Sequence, residues 1–334
     1  MINSRDNSLL SSNIYNPIYI FTMSVLFCSL LLFIERYFGL EWDYHPDART
    51  YIEAPLNKYK TVSLNNLMLG NWFYVLVSYL NNSINQIIIF NVLIYSITNV
   101  GIANFFYKHS ASHQSQIALF LFLLIIFNPY RMHLAVSVLK DTIIIFGMVY
   151  FLISKRFSWV YFLISFFVSL RSAIYLIALL KKRNFIVLGL SIILFVLYYK
   201  GIDFLTFLIT PEFQFDMRIR DFDKVPNFYE YGTLGVVLRI ITWPFFYLTG
   251  VFILFSPSPA YIPIAIGSIV LQIWHLVQYK KITLYFQIYL AMAVLALLVS
   301  GFTSYVRYAL PLITILPILI FKKHELSDEK FKNS

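Results

Sequence analysis

The chain has 334 residues, of which 59% are hydrophobic and only 13% charged, with a formal net charge of +10. A soluble domain carries roughly 25% charge, and 26 basic with 16 acidic side chains cannot cover the surface of a water-facing globule of this length. Composition excludes folding against water and points to an all-α fold, a polytopic transmembrane helix bundle in one integral membrane domain over 1–334. With about 30 Å of hydrocarbon to cross at about 1.5 Å per residue, the length admits about 8 to 11 membrane helices, some short or broken, and no sizeable soluble domain.

In chain order, the first span is expected at 18–38. Its apolar run continues into Glu35-Arg36 with no small-residue cleavage site, so it reads as a retained span rather than a signal peptide. It holds Cys28, the one cysteine, so neither a disulfide framework nor a cysteine-based metal site is open to the chain. Residues 39–83 form a long loop rich in acids and aromatics, EWDYHPDARTYIEAPLNKY, followed at 64–80 by a short apolar stretch interrupted by Asn65, Asn66, Gly70 and Asn71. That stretch suits an interfacial helix. The central helices occupy 84–200, with apolar runs at 84–106, 113–128, 134–154, 157–180 and 184–200. A second large loop fills 201–233, and the C-terminal helices lie within 234–321 at 234–256, 260–278, 282–300 and 309–321. Residues 322–334 read as a solvated tail.

The basic residues sit in short clusters between these runs, where they set orientation rather than bind nucleic acid. Lys108, Lys155-Arg156, Lys280-Lys281 and Lys322-Lys323 are all cytoplasmic if both termini are inside, which puts the loop 39–83 outside. Ten simple spans would leave Lys181-Lys182-Arg183 outside, against the rule. Folding 157–180 and 234–256 as broken hairpins, the first interrupted by Arg171 and the second at Trp243-Pro244, brings that cluster inside.

Ionisable side chains in or beside apolar runs are costly and mark function by default. The candidates are Asp47 with Arg49, Arg131 with His133 after Asn128-Pro129, Lys140-Asp141, Arg171, Arg239 and Arg307. Convergent arginines with few acids describe a site for a phosphorylated group, since guanidinium forks match phosphate oxygens. The substrate-binding set is therefore Arg49, Arg131, Lys140, Asp141, Arg171, Arg239 and Arg307. Plainer readings stand beside it. Lys140-Asp141 is equally a helix-end ion pair, and Arg239 and Arg307 equally snorkel to lipid headgroups. Arg171, with some ten apolar residues on each side, favours a functional cavity over structural pairing. Asp47 is the candidate catalytic carboxylate, although Pro46-Asp47 also suits the first turn of a helix. No HExxH motif, P-loop or GxSxG elbow occurs, so neither a metal nor a cofactor is expected.

The order of these features resembles the multi-spanning C-type glycosyltransferases and the O-antigen and capsule polymerases of bacteria. The likeness lies in a first span, a long outer loop with Asp47-Ala-Arg-Thr-Tyr51, then Asn128-Pro129, Val138-Leu-Lys-Asp141, Arg171, Ser256-Pro-Ser-Pro259, and Arg307-Tyr308 ahead of Pro311. The resemblance implies work at the outer face of the cytoplasmic (inner) membrane on sugars carried by undecaprenyl phosphate or diphosphate. Asp47 would then be the general base, and Arg131, Arg171 and Arg307 would hold the lipid diphosphate. The implied partners are a polyprenyl-linked saccharide donor and acceptor, membrane lipids, and other polysaccharide-assembly proteins, with no nucleic acid. The second large loop is modest, which favours polysaccharide assembly over protein glycosylation. Two alternatives remain: a single-sugar transferase using a polyprenyl-monophosphate donor, and a transporter of lipid-linked glycans.

Overall fold

A computed structural model describes residues 15–43, 45–53, 72–109, 122–123, 125–179, 228, 231–254, 282–299 and 302–332. Among the described residues all regular structure is helical. The chain divides into two units, Met1–Ser172 with Thr314–Ser334, and Ala173–Ile313.

The first unit contains α1 (Pro17–Tyr37), α2 (Pro46–Ile52), α3 (Trp72–Tyr79), α4 (Ile84–His109), α5 (Pro129–Ala135), α6 (Asp141–Ile153) and α7 (Ser158–Val168). Helix α1 starts where Asn16 Oδ1 accepts the Ile18 N–H at 3.0 Å and Pro17 fills the first turn. It stops at Gly39, whose φ of +77° allows the Leu40 N–H to return to the Glu35 carbonyl at 2.8 Å. Its exposed face carries Ile18, Leu26, Leu30, Phe33 and Tyr37, while Ile20, Ser24 and Cys28 are buried. Helix α4 repeats the pattern, with Ile89, Leu93 and Ile97 exposed at a spacing of four and Asn91, Tyr95 and Asn99 buried. The two pack together, joined by Asn99 Nδ2 donating to Ser24 Oγ at 3.0 Å. Apolar residues outward and amides inward is the reverse of a water-soluble amphipathic helix, and suits lipid. The helices Pro17–Tyr37 and Ile84–Lys108 are long and apolar enough to cross a membrane.

The run expected to form one span at 134–154 is two helices, α5 and α6, separated by a buried irregular link at 136–140. The break persists because its carbonyls find side-chain donors. Asn91 Nδ2 donates to Ser137 O at 2.9 Å and to Leu139 O at 3.0 Å, and Ser137 Oγ donates to His133 O at 2.7 Å. Helices α6 and α7 then pack face to face around Gly147. A Cβ there would lie 1.9 Å from Ser165 Oγ and 2.5 Å from the Tyr161 carbonyl. Ser165 Oγ meanwhile donates to Ile144 O at 3.0 Å, so neither neighbour yields cheaply. Gly147→Ala should therefore cost about 1–3 kcal/mol, read as a lower midpoint of heat unfolding in detergent. An unchanged midpoint would show that α7 is free to shift.

The run at 157–180 is interrupted where expected, at Ser169, Leu170 and Arg171, after which α8 (Ser172–Tyr175) and a 3-10 turn (Leu176–Leu179) follow. The second unit further holds α9 (Gly232–Thr249), a 3-10 turn (Val251–Leu254), α10 (Ile282–Leu298) and α11 (Phe302–Lys332), which from Thr314 onward belongs to the first unit. The expected break at Trp243-Pro244 is not there, and α9 runs through Pro244 to a left-handed Gly250. Proline disturbs the carbonyls three and four residues earlier. Here Tyr289 OH donates to the Ile241 carbonyl at 2.6 Å and relieves one of them, so the helix survives. Trp243 anchors α9 on Phe302 and Tyr305, at 5.5 and 5.3 Å between ring centroids. Helix α11 extends the expected 309–321 run in both directions, carrying the tail as helix to Lys332. The runs 184–200 and 260–278, most of 113–128 and 201–233, the cluster 181–183 and the turn 256–259 lie outside the described residues.

Candidate functional site

The polar groups of the first unit gather around the short helix α2. Pro46 fixes its first turn, His45 precedes it as N-cap residue and Asp47 lies in the first turn, as the residue pattern predicts. Tyr51 is buried, with its ring edge-on to Phe73 and Tyr74 of α3 at 4.8 and 4.9 Å. On the exposed side, Arg49 Nη2 donates to Asp43 Oδ2 at 2.6 Å and Nε lies 3.8 Å from Glu53, so this arginine is held within its own loop. The hydrogen bond and charge of Asp43 keep the guanidinium protonated even more firmly than usual.

Below α2 lies the start of α6. Lys140 Nζ sits 5.8 Å from the centroid of the Tyr51 ring, a cation–π contact that brings α2 to this helix end. Asp141, 1% exposed, accepts a hydrogen bond from Arg171 Nη2 across the break that follows α7. Arg171 was expected to line a cavity in preference to pairing; it pairs, because a carboxylate is the least costly neighbour for a guanidinium at this depth. Asp141 likewise turns to Arg171, a partner that the even alternatives for Lys140-Asp141, a helix-end pair or a phosphate site, do not contain.

A second polar chain was not foreseen as a unit. His133 Nδ1 lies 2.8 Å from Glu35 Oε1, and His133 Nε2 lies 2.8 Å from His45 Nε2. An ionised carboxylate only accepts, so His133 donates to Glu35 from Nδ1, and when neutral it accepts at Nε2 from His45. Tyr130 stacks on His133 at 5.9 Å. Of the three, only His133 drew notice from its sequence position. The available signals for the others were Glu35 closing an apolar run and His45 preceding Pro46-Asp47.

Arg131 sits apart from this cluster. Asn128 Oδ1 caps α5 by accepting from the Tyr130 and Arg131 N–H groups at 3.0 and 3.3 Å, so Asn128-Pro129 is a helix start. The Arg131 side chain, 2% exposed, donates to Ile125 O at 2.5 Å and to Asn99 Oδ1 at 3.1 Å and lies over the Tyr95 ring at 5.0 Å. It ties α4 to α5, a structural position rather than an open phosphate site.

Arg239 and Arg307 belong to the second unit. Both were given snorkelling as an alternative, yet they are 3% and 4% exposed. Arg239 lies over Trp243 at 5.2 Å; Arg307 lies over Tyr308 at 4.8 Å and donates to its hydroxyl at 3.0 Å. Aromatic faces accept a weakly hydrated guanidinium at low cost, which is why burial wins over a lipid-facing position. Among the described residues no group of three or more His, Cys, Asp or Glu is arranged to hold a metal ion.

Compared with family models, curated proteins and solved structures, the chain matches none.

Proposed function

We propose that this chain is a polytopic membrane glycosyltransferase, a polymerase acting on undecaprenyl-(di)phosphate-linked sugars at the outer face of the cytoplasmic membrane in O-antigen, capsule or exopolysaccharide assembly. The observation that carries this reading is the docking of α2, with Asp47, onto the end of α6 that bears Lys140 and the Asp141–Arg171 pair. A carboxylate in the first turn of a short helix whose other end is docked on fixed cations suits transfer from a lipid phosphate. The acceptor hydroxyl oxygen forms the new bond to the anomeric carbon, and the bond from that carbon to the phosphate oxygen breaks. The departing phosphate keeps the electron pair, and Asp47 takes the hydroxyl proton. Cations already in place stabilise the charge that develops on the leaving group. Two helices of membrane-crossing length in the same unit support a donor held by its tail in lipid and its head at the interface.

The reading is tested by giving the purified protein a synthetic polyprenyl-diphosphate-linked repeat unit. Longer lipid-linked products support a polymerase, and single addition from a monophosphate donor moves the assignment to the alternative transferase.

Its topology makes a separate prediction, since both termini are assigned to the cytoplasm. A cysteine replacing Lys323 should react only with reagents that cross the membrane, because Lys322-Lys323 joins the cytoplasmic clusters. Labelling from outside by an impermeant maleimide would reverse the orientation.

A further inference from the structure

Helix α2 has seven residues, too few to hold itself without tertiary contacts. What ties it down therefore sets where Asp47 stands. Its C-terminal end is fixed by Asn82 Nδ2 donating to Ile52 O at 2.6 Å and by Tyr51 against α3. At the other end the N-cap residue makes no side-chain capping bond; instead His45, buried, reaches His133 on α5, which is held by Glu35 at the end of α1.

This chain of bonds has a proton rule built into its geometry. The two Nε2 atoms stand 2.8 Å apart, so one must donate and the other accept. A single proton between them satisfies both. Two protons would set donor against donor and positive against positive, and the contact would open. Acid is therefore the perturbation that supplies the second proton to this pair. The other charged and titratable groups around it are Arg36 on α1, which bonds to Leu40 O and faces Glu41, and Tyr130 on α5. On the loop side they are Asp47 and the Arg49 pairs with Asp43 and Glu53, and at the far end of α2, Lys140.

We propose that Glu35 and His133 are positioning residues that act through His45 to hold α2 and Asp47 in place, and that the hold is released when both imidazoles are protonated. The proposal rests on the glycosyltransferase reading only for what Asp47 does once placed.

The test is the mobility of a nitroxide on the full-length protein at exposed Thr50→Cys, with buried Cys28 left as it is. Between about pH 8 and about pH 5 the ratio of mobile to immobile label should rise about tenfold, the scale of losing one buried hydrogen-bonded contact. In His133→Gln and His45→Gln the ratio should already be high at about pH 8 and respond little to acid. The Asp43→Asn control, which removes the ion pair with Arg49 on the same helix, should keep the wild-type response. Labels as immobile in the histidine variants as in wild type, or a response that disappears in Asp43→Asn, would overturn the proposal. A second label at exposed Phe157→Cys, beyond the opposite end of α6, should not change. Loosening there in the same variants would mean that the imidazoles hold the whole unit, and would equally overturn it. None of these readings needs turnover. An active Asp47→Asn protein with an immobile label would refute the catalytic role and leave the positioning intact.

Discussion

Arg171→Leu should lower the unfolding stability of the protein by about 3–5 kcal/mol, the cost of leaving a buried charge without its partner. Asp141 is almost wholly inaccessible and accepts a hydrogen bond from Arg171, so removing the guanidinium takes the charged partner from a buried carboxylate. The double variant Asp141→Leu/Arg171→Leu should recover most of that loss, because two apolar side chains replace a desolvated pair at little net cost. Denaturant midpoints for the singles and the double in one detergent would measure the coupling. Singles as stable as wild type would mean that the pair contributes nothing. Arg171→Lys separates stability from function: the charge persists but the fork is lost. That variant should insert normally and yield shorter polymer. Polymer of wild-type length would leave the pair a purely structural tie.

The second large effect is expected at Asp47. Asp47→Asn keeps the size and much of the hydrogen bonding of the side chain but cannot accept a proton, so turnover should fall by about 10² or more. Donor binding should persist, since the cations rather than this carboxylate are assigned to the phosphates. Asp47 also stands in the first turn of α2, where losing its charge costs about 0.3–1 kcal/mol. Abundance must therefore be measured beside rate. Wild-type turnover from normally accumulating Asp47→Asn protein would exclude it as the base and direct attention to Glu41, Asp43 and Glu53 in the same loop.

What was legible in the residues was local. The long apolar runs gave α1 and α4, both long and apolar enough to cross a membrane. Asn128-Pro129 and Pro46-Asp47 mark helix starts through capping chemistry that acts within three residues. The interruption at Arg171 was legible because a charged residue breaks the apolar run there. The pairings were not. Asp141 and Arg171 are 30 residues apart, His45 and His133 88, and Glu35 and His133 98, and no spacing rule reaches across such distances. Pro244 misled because the proline rule counts only backbone. The relief comes from Tyr289 on another helix, which the local pattern cannot contain. The surroundings of the arginines were hidden in a related way: Arg131, Arg239 and Arg307 carry the residue type of a phosphate site, and the local pattern does not show that they lie buried against an amide, a carbonyl and aromatic rings.

The central claim is that this chain forms glycosidic bonds on a membrane-anchored donor. Its most direct test is the length of the glycan on the lipid after the purified protein, reconstituted in vesicles, is given a polyprenyl-diphosphate-linked repeat unit. The account predicts a ladder of longer lipid-linked glycans, lost in Asp47→Asn. Lipid-linked glycan that crosses the bilayer with its length unchanged would contradict it and make the chain a transporter.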